Sequence, residues 1–247
     1  MRRIHRERVL LVGGQRALVL QLAHPMVAAG VADHSDFPQR ALERLRRTLD
    51  LTLATVFGST AEADEAIANI RRVHERVRGA RAGRSYRATD PSLLLWVNAT
   101  LVDTTLLVYE RFVRRLAEGE RERYYEETKG LGPLYGIPGE AMPPDLASFR
   151  AYMEPMIEGD ELRATDESRR LVQAVLRPPL PFRWRMPTEA VRLVTLALLP
   201  QKIREMFGLH AGVAAHAALA GSSTASRTLL PFFPERLRVF PFARGRS

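Results

Sequence analysis

The run LLLWVNATLVDTTLLVY, Leu93 to Tyr109, is apolar on nearly every side when wound as a helix. Such a segment cannot lie on a surface, so the remaining elements have to wrap around it. A bilayer span needs roughly 20 mostly apolar residues. This run is shorter and includes Asn98 and Asp103, so it reads as a central core helix rather than a transmembrane segment. Asp90-Pro91 opens it, with the proline at a first helical position where its missing N–H costs nothing.

Helical periodicity dominates elsewhere, and alternating strand patterns with hairpin turns are almost absent. A first helix is expected from about Gln15 to Ala29, kinked at His24-Pro25 with one carbonyl freed, and a second from about Gln39 to Val56. A third, capped by Ser59 or Thr60 with Glu62 in its first turn, should run to Arg78. The loop ARAGRSYRATDP leads into the central helix. Beyond that helix, the pattern predicts helices around GERERYYEETKG, over Asp145 to Ile157, from a Thr165 or Asp166 cap through DESRRLVQAVL, and over Thr188–Leu199, Gln201–Gly208 and Gly212–Ala220. The expected fold is all-α, a single-domain multi-helix bundle with globin-like packing over 1–247, its Pro/Phe-rich tail loosely ordered from about 228.

Composition narrows the chemistry. The chain has no cysteine, which removes disulfides, thiolate ligands and a cysteine nucleophile. Its net charge of +9 is carried almost wholly by arginine, scattered along the chain, with lysine only at Lys129 and Lys202. No basic recognition helix or aromatic-basic sheet motif accompanies that charge, so no specific nucleic-acid partner is expected. The start, MRRIHRER followed by LLVGGQRALVLQLAHP, superficially resembles a twin-arginine signal. Gln15 and Arg16 interrupt its apolar part, and a retained segment and a cytoplasmic protein are expected.

The stretch NIRRVHERVRG, Asn69 to Gly79, carries the sharpest chemical signal. On a helix, Ile67, Ile70 and Val77 form one stripe and His74 falls within it, with Arg71 and Arg78 along one rim. A histidine turned inward between two guanidinium groups suits an acidic guest. Neutral imidazole is a good axial ligand for haem iron, and arginines pair with propionates by charge-assisted bonds. The alternative is a core histidine bonded to a backbone carbonyl, with the arginines paired to acids. In ERLRRTLD, Arg44, Arg47 and Thr48 share a face opposite Leu42, Leu45, Leu49 and Leu53; such residues form a solvated face by default, but Leu51 and Thr55 extend it with apolar character, so a border to a pocket is the alternative. His24 reads as a helix-packing residue and His34 as a cap or turn residue. Neither belongs to an HExxH-type zinc pattern, and the paired Glu-x-x-His motifs of a di-iron bundle are absent.

Taken in order, HPMVAAGV, RLRRT, RRVHERVRG, YRATDPSLLLWVNATLVDT, YERFV and LPQKIREMFGL resemble the DUF2236 family, which includes the latex-clearing protein, a rubber oxygenase, and the fungal oxygenase of mycophenolic acid biosynthesis. The resemblance covers most of the chain. It implies a haem b oxygenase with the pocket between helices, His74 as proximal ligand in an Arg-x-x-His-x-x-x-Arg pattern, and a distal Arg-x-x-Lys-Thr aligned on Arg44, Arg47 and Thr48. It also implies a hydrophobic, isoprenoid-like substrate and dioxygen as partners. Two departures stand out. Arg47 replaces the distal lysine and, staying protonated, has no lone pair to offer iron, so the resemblance implies an iron that is five-coordinate, water-bound, or closed by another group such as His24 or His34. Asn98 stands where many relatives carry histidine.

Overall fold

The computed structural model describes residues 1–34, 50–81, 83–179 and 182–243 of the chain. Its helices are α1 (Arg2–His5), α2 (Gly14–Ala23), α3 (Pro25–His34), α4 (described over 50–57), α5 (Thr60–Arg76), α6 (Pro91–Phe112), α7 (Glu118–Lys129), α8 (Leu146–Glu158), α9 (Asp166–Leu176), α10 (Arg185–Leu198), α11 (Gln201–Phe207), α12 (Val213–Leu229) and α13 (Glu235–Arg238). A two-stranded antiparallel hairpin, β1 (Arg78–Arg81) and β2 (Arg84–Arg87), joins α5 to α6. The fold is all-α apart from that hairpin.

The central run behaves as its composition requires. Trp96, Ala99, Val102 and Val108 on α6 are fully buried, and the Trp96 indole N–H donates to the Leu20 carbonyl of α2 at 3.2 Å. Asp90 caps α6 by accepting the Ser92 N–H at 2.9 Å, with Pro91 in the first turn. At 22 residues α6 runs from Pro91 past Tyr109 to Phe112, and it is the described helix whose length and apolarity would allow it to cross a bilayer; half of that window is packed inside the protein.

His24-Pro25 splits the predicted first helix in two. His24 adopts an extended conformation between α2 and α3, because proline cannot donate to the preceding turn. The freed Ala23 carbonyl accepts the Arg163 N–H at 3.0 Å. α3 runs on past Gly30 to His34, five residues beyond the expected end at Ala29. α12 likewise continues to Leu229 rather than stopping at Ala220.

Beyond 228, residues 231–237 are exposed and the chain then returns to the body of the protein. Val239 pairs with Glu7 in an antiparallel bridge, and Val239 and Phe240 are buried against Leu53, Val56 and Phe57 of α4.

Candidate functional site

α5 presents the histidine stretch. Ser59 and Glu62 form a reciprocal capping box at its start, as the sequence implies. Its inward stripe is Ala63, Ala66, Ile67, Ile70 and His74: Ala66 and Ile67 are buried, while Ala63, Ile70 and His74 are half-buried. The stripe is real, but the helix ends early. Val77 is already extended and its N–H closes onto the His74 carbonyl at 3.1 Å, so Arg78 opens β1 instead of completing a helical rim. Arg71 and Arg78 are both exposed, and neither side chain forms an ion pair with any described residue.

The hairpin holds Arg78 in place through α3. Tyr86 on β2 is buried against Met26, Ala29 and Leu93 and donates its hydroxyl to Asp33 at 2.6 Å; Arg81 pairs with the same carboxylate. The Tyr86 hydrogen bond holds the Asp33 carboxyl below its usual range, and burial together with Asp33 pushes the Tyr86 hydroxyl up to about 12. His34, at the end of α3, places Nε2 3.0 Å from the Arg78 carbonyl oxygen and meets the Tyr86 ring edge-on. The role of Tyr86 and Asp33 was missed from the sequence, where their neighbours read as loop.

The turn Gly132–Tyr135 touches both α5 and α6, and the Tyr135 hydroxyl reaches Thr55 of α4. Leu51 and Thr55 are half-buried, and of the α4 face singled out in the sequence Thr55 stands at this junction. On α6, Leu94 lies against Gly136; Asn98 and Leu101 follow on the same face. Asn98 is half-buried and its side chain makes no hydrogen bond with a described residue, and Leu101 is 40% exposed in a helix otherwise well covered. Arg44, Arg47 and Thr48 lie outside the described residues.

His24 is committed to α3. Its Nδ1 accepts the Met26 N–H at 3.2 Å, capping the helix that proline starts, and Nε2 lies 3.4 Å from Glu161. The ring is therefore the Nε2–H tautomer, and burial lowers its pKa. It would have to release both partners to reach a ligand. His34 is likewise engaged at Nε2.

The donor chemistry of α5 suits haem. Among the described residues no three His, Asp or Glu side chains converge on a common point. A haem iron needs no such cluster, since the porphyrin supplies its equatorial donors and one imidazole completes the attachment. His74, half-buried beside apolar Ile67 and Ile70, offers an imidazole donor on an apolar wall, and the exposed Arg71 and Arg78 stand three residues before it and four after it in the chain.

The profile of the family described as "ER-bound oxygenase mpaB/B'/Rubber oxygenase, catalytic domain" matches residues 1–228. Uncharacterized protein Mb2261 of Mycobacterium bovis and Uncharacterized protein Rv2237 of Mycobacterium tuberculosis are each 29% identical to this chain over 174 residues, covering 67% of this chain and 68% of the relative. No solved structure gives a significant match. With the profile spanning the core helix, the α5 stripe and the hairpin alike, the chain belongs to the family of MpaB-type and rubber oxygenase catalytic domains.

Proposed function

We propose that this oxygenase-family chain holds haem b through His74 and acts on a carbon–carbon double bond of a hydrophobic, isoprenoid-like small molecule with dioxygen. The observation that carries the reading is the pairing of a half-buried imidazole with two exposed guanidinium groups, three residues before it and four after, that no described acid neutralises. Bound haem would supply the redox chemistry toward dioxygen. The protein's part is to hold, orient and exclude.

In this reading His74 would hold the group through a neutral imidazole nitrogen on α5, and Arg71 and Arg78 would pair with its carboxylates. Ile67 and Ile70 form an apolar wall, and the uncovered strip of α6 at Asn98 and Leu101 supplies apolar and amide contacts for substrate. The resemblance adds Arg44, Arg47 and Thr48 to the site. Arg47 cannot ligate iron and would instead donate hydrogen bonds to dioxygen or substrate.

The test is an absorption spectrum of protein produced with haem supplied, before and after dithionite reduction. A histidine-type haem b spectrum is expected, lost in His74→Ala. Arg71→Ala and Arg78→Ala should keep the spectrum but each weaken haem retention about tenfold, the equivalent of one charge-assisted pair. A His74→Ala protein that retains full haem and an unchanged spectrum would remove the ligand assignment.

Replacement of the distal lysine by Arg47 favours a second reading, a haem or lipophilic-ligand binder on the same scaffold. Reduced protein mixed with oxygen and polyisoprenoid, farnesyl or carotenoid substrates separates the two. Product formation supports the oxygenase; a stable oxygen complex without product supports the binder.

A further inference from the structure

At one end of the molecule several large apolar side chains stand in solvent, and hydrogen bonds fix which helices meet there. The Arg16 guanidinium donates both to the Leu198 carbonyl at the end of α10 and to Thr104 in the middle of α6. One turn earlier on α10, Val194 packs with Val108 and Phe112, so α10 begins beyond the C-terminal end of α6. α12 runs the opposite way: Ser226 donates to the Phe112 carbonyl and Arg227 to the Glu110 carbonyl, each at 2.7 Å. The start of α10 and the end of α12 therefore share one end of the bundle.

That end exposes Trp184 (50%), Met186 (81%), Leu229, Phe232 (83%) and Phe233. Single exposed apolar residues are ordinary, but two aromatic elements and a methionine at one pole form a candidate contact surface. Its polar fringe has one sign. Arg183, Arg227, Arg111 and Arg115 are exposed there, whereas the nearby carboxylates Glu110, Glu189 and Glu235 are already held by Arg121, Arg192 and Arg6.

We propose that this pole docks onto an anionic lipid surface, with Trp184, Met186 and Phe232 entering the boundary between headgroups and acyl chains and the arginines lying among the phosphates. Tryptophan and arginine are the residues that favour that boundary, and a chain of net charge +9 is drawn to it. A second copy of this chain would bring the same arginines against one another. The apolar segment from Leu229 lies beyond the family match at 1–228, whereas Trp184 and Met186 lie within it.

Trp184 and Trp96 are the two tryptophans, and Trp96 is fully buried, so a change in tryptophan emission on adding vesicles reports on Trp184. The full chain should sediment with phosphatidylcholine vesicles containing phosphatidylglycerol, far less with phosphatidylcholine alone, and its emission should shift to the blue. Raising the salt should release it. The exposed pair Trp184→Ser and Phe232→Ser, made together, should weaken partition at least about tenfold with an unchanged thermal melt. Wild-type protein that stays in the supernatant, a variant that binds as well as wild type, or a dimer that buries Trp184 and ignores vesicles would each overturn the proposal.

Discussion

Arg16 carries its charge into the helical stack and is 4% exposed. It survives there because each part of the guanidinium is answered: the Leu198 carbonyl at 2.9 Å, the Thr104 hydroxyl at 2.6 Å and the Asp103 carboxylate at 2.7 Å. One side chain thus ties α2, α6 and α10 together. Arg16→Leu should lower stability by about 3 kcal/mol, since it strands a carboxylate and a carbonyl; the figure is below that of a dry ion pair because Asp103 keeps a third of its side chain at the surface. A urea melt measures it. The sequence marked Arg16 only as an interruption of an apolar stretch and Asp103 only as a polar residue within the apolar run of the core helix. Nothing local joins residues so far apart in the chain, and the pairing exists only once the helices pack.

The hairpin is the element that sequence periodicity missed. Seven of its eight residues are exposed, so neither strand shows the alternation that burial on one face imposes. The legible signals were the glycine at 83, in a left-handed turn conformation with φ of 74°, and Tyr86, whose partner across the ladder is Gly79. A Cβ at position 79 would come within 2.5 Å of the Tyr86 hydroxyl oxygen. Gly79→Ala should therefore displace the ring, weaken its bond to Asp33 and cost about 1–3 kcal/mol, the usual range for overpacking. Faster tryptic cleavage at Arg81 and Arg84 would register the loosened hairpin. α5 was read more successfully: its cap and apolar stripe are local properties. Its end was misjudged by two residues because the extended turn at Val77 is imposed by the hairpin that follows, a tertiary demand that overrides local pattern.

At the scale of the molecule, half-buried His5 and buried His24 shape the response to acid. Burial, and then the nearby amino terminus, push His5 down to about 4 where its Nε2 lies 3.1 Å from the Tyr124 hydroxyl, and burial also lowers His24. The unfolded chain takes up protons near pH 6.5 that the folded chain refuses, so stability falls as pH drops from 6.5 toward 4. Glu7, raised by burial, works against that slope. Urea melts of wild type and His5→Phe across this window isolate the His5 contribution: the difference in stability between them should change by about 2 kcal/mol. The all-helical class and the central helix were legible from composition and period alone. The candidate site was legible on its His74 side, where one helix carries the pattern; the ties through Tyr86, Asp33 and Tyr135 come from separate segments and had no local signature.

The bridge between Glu7 and Val239 has a consequence for how the chain is made. Arg6 and Arg8 are synthesised long before residues 235–240, yet the Arg8 guanidinium donates to the Val239 carbonyl, Arg6 pairs with Glu235, and the Phe240 N–H closes onto the Arg6 carbonyl at 3.0 Å. On the ribosome these groups wait for those partners while more than two hundred residues emerge behind them. A late stretch of the chain is thus the latch that seats an early one.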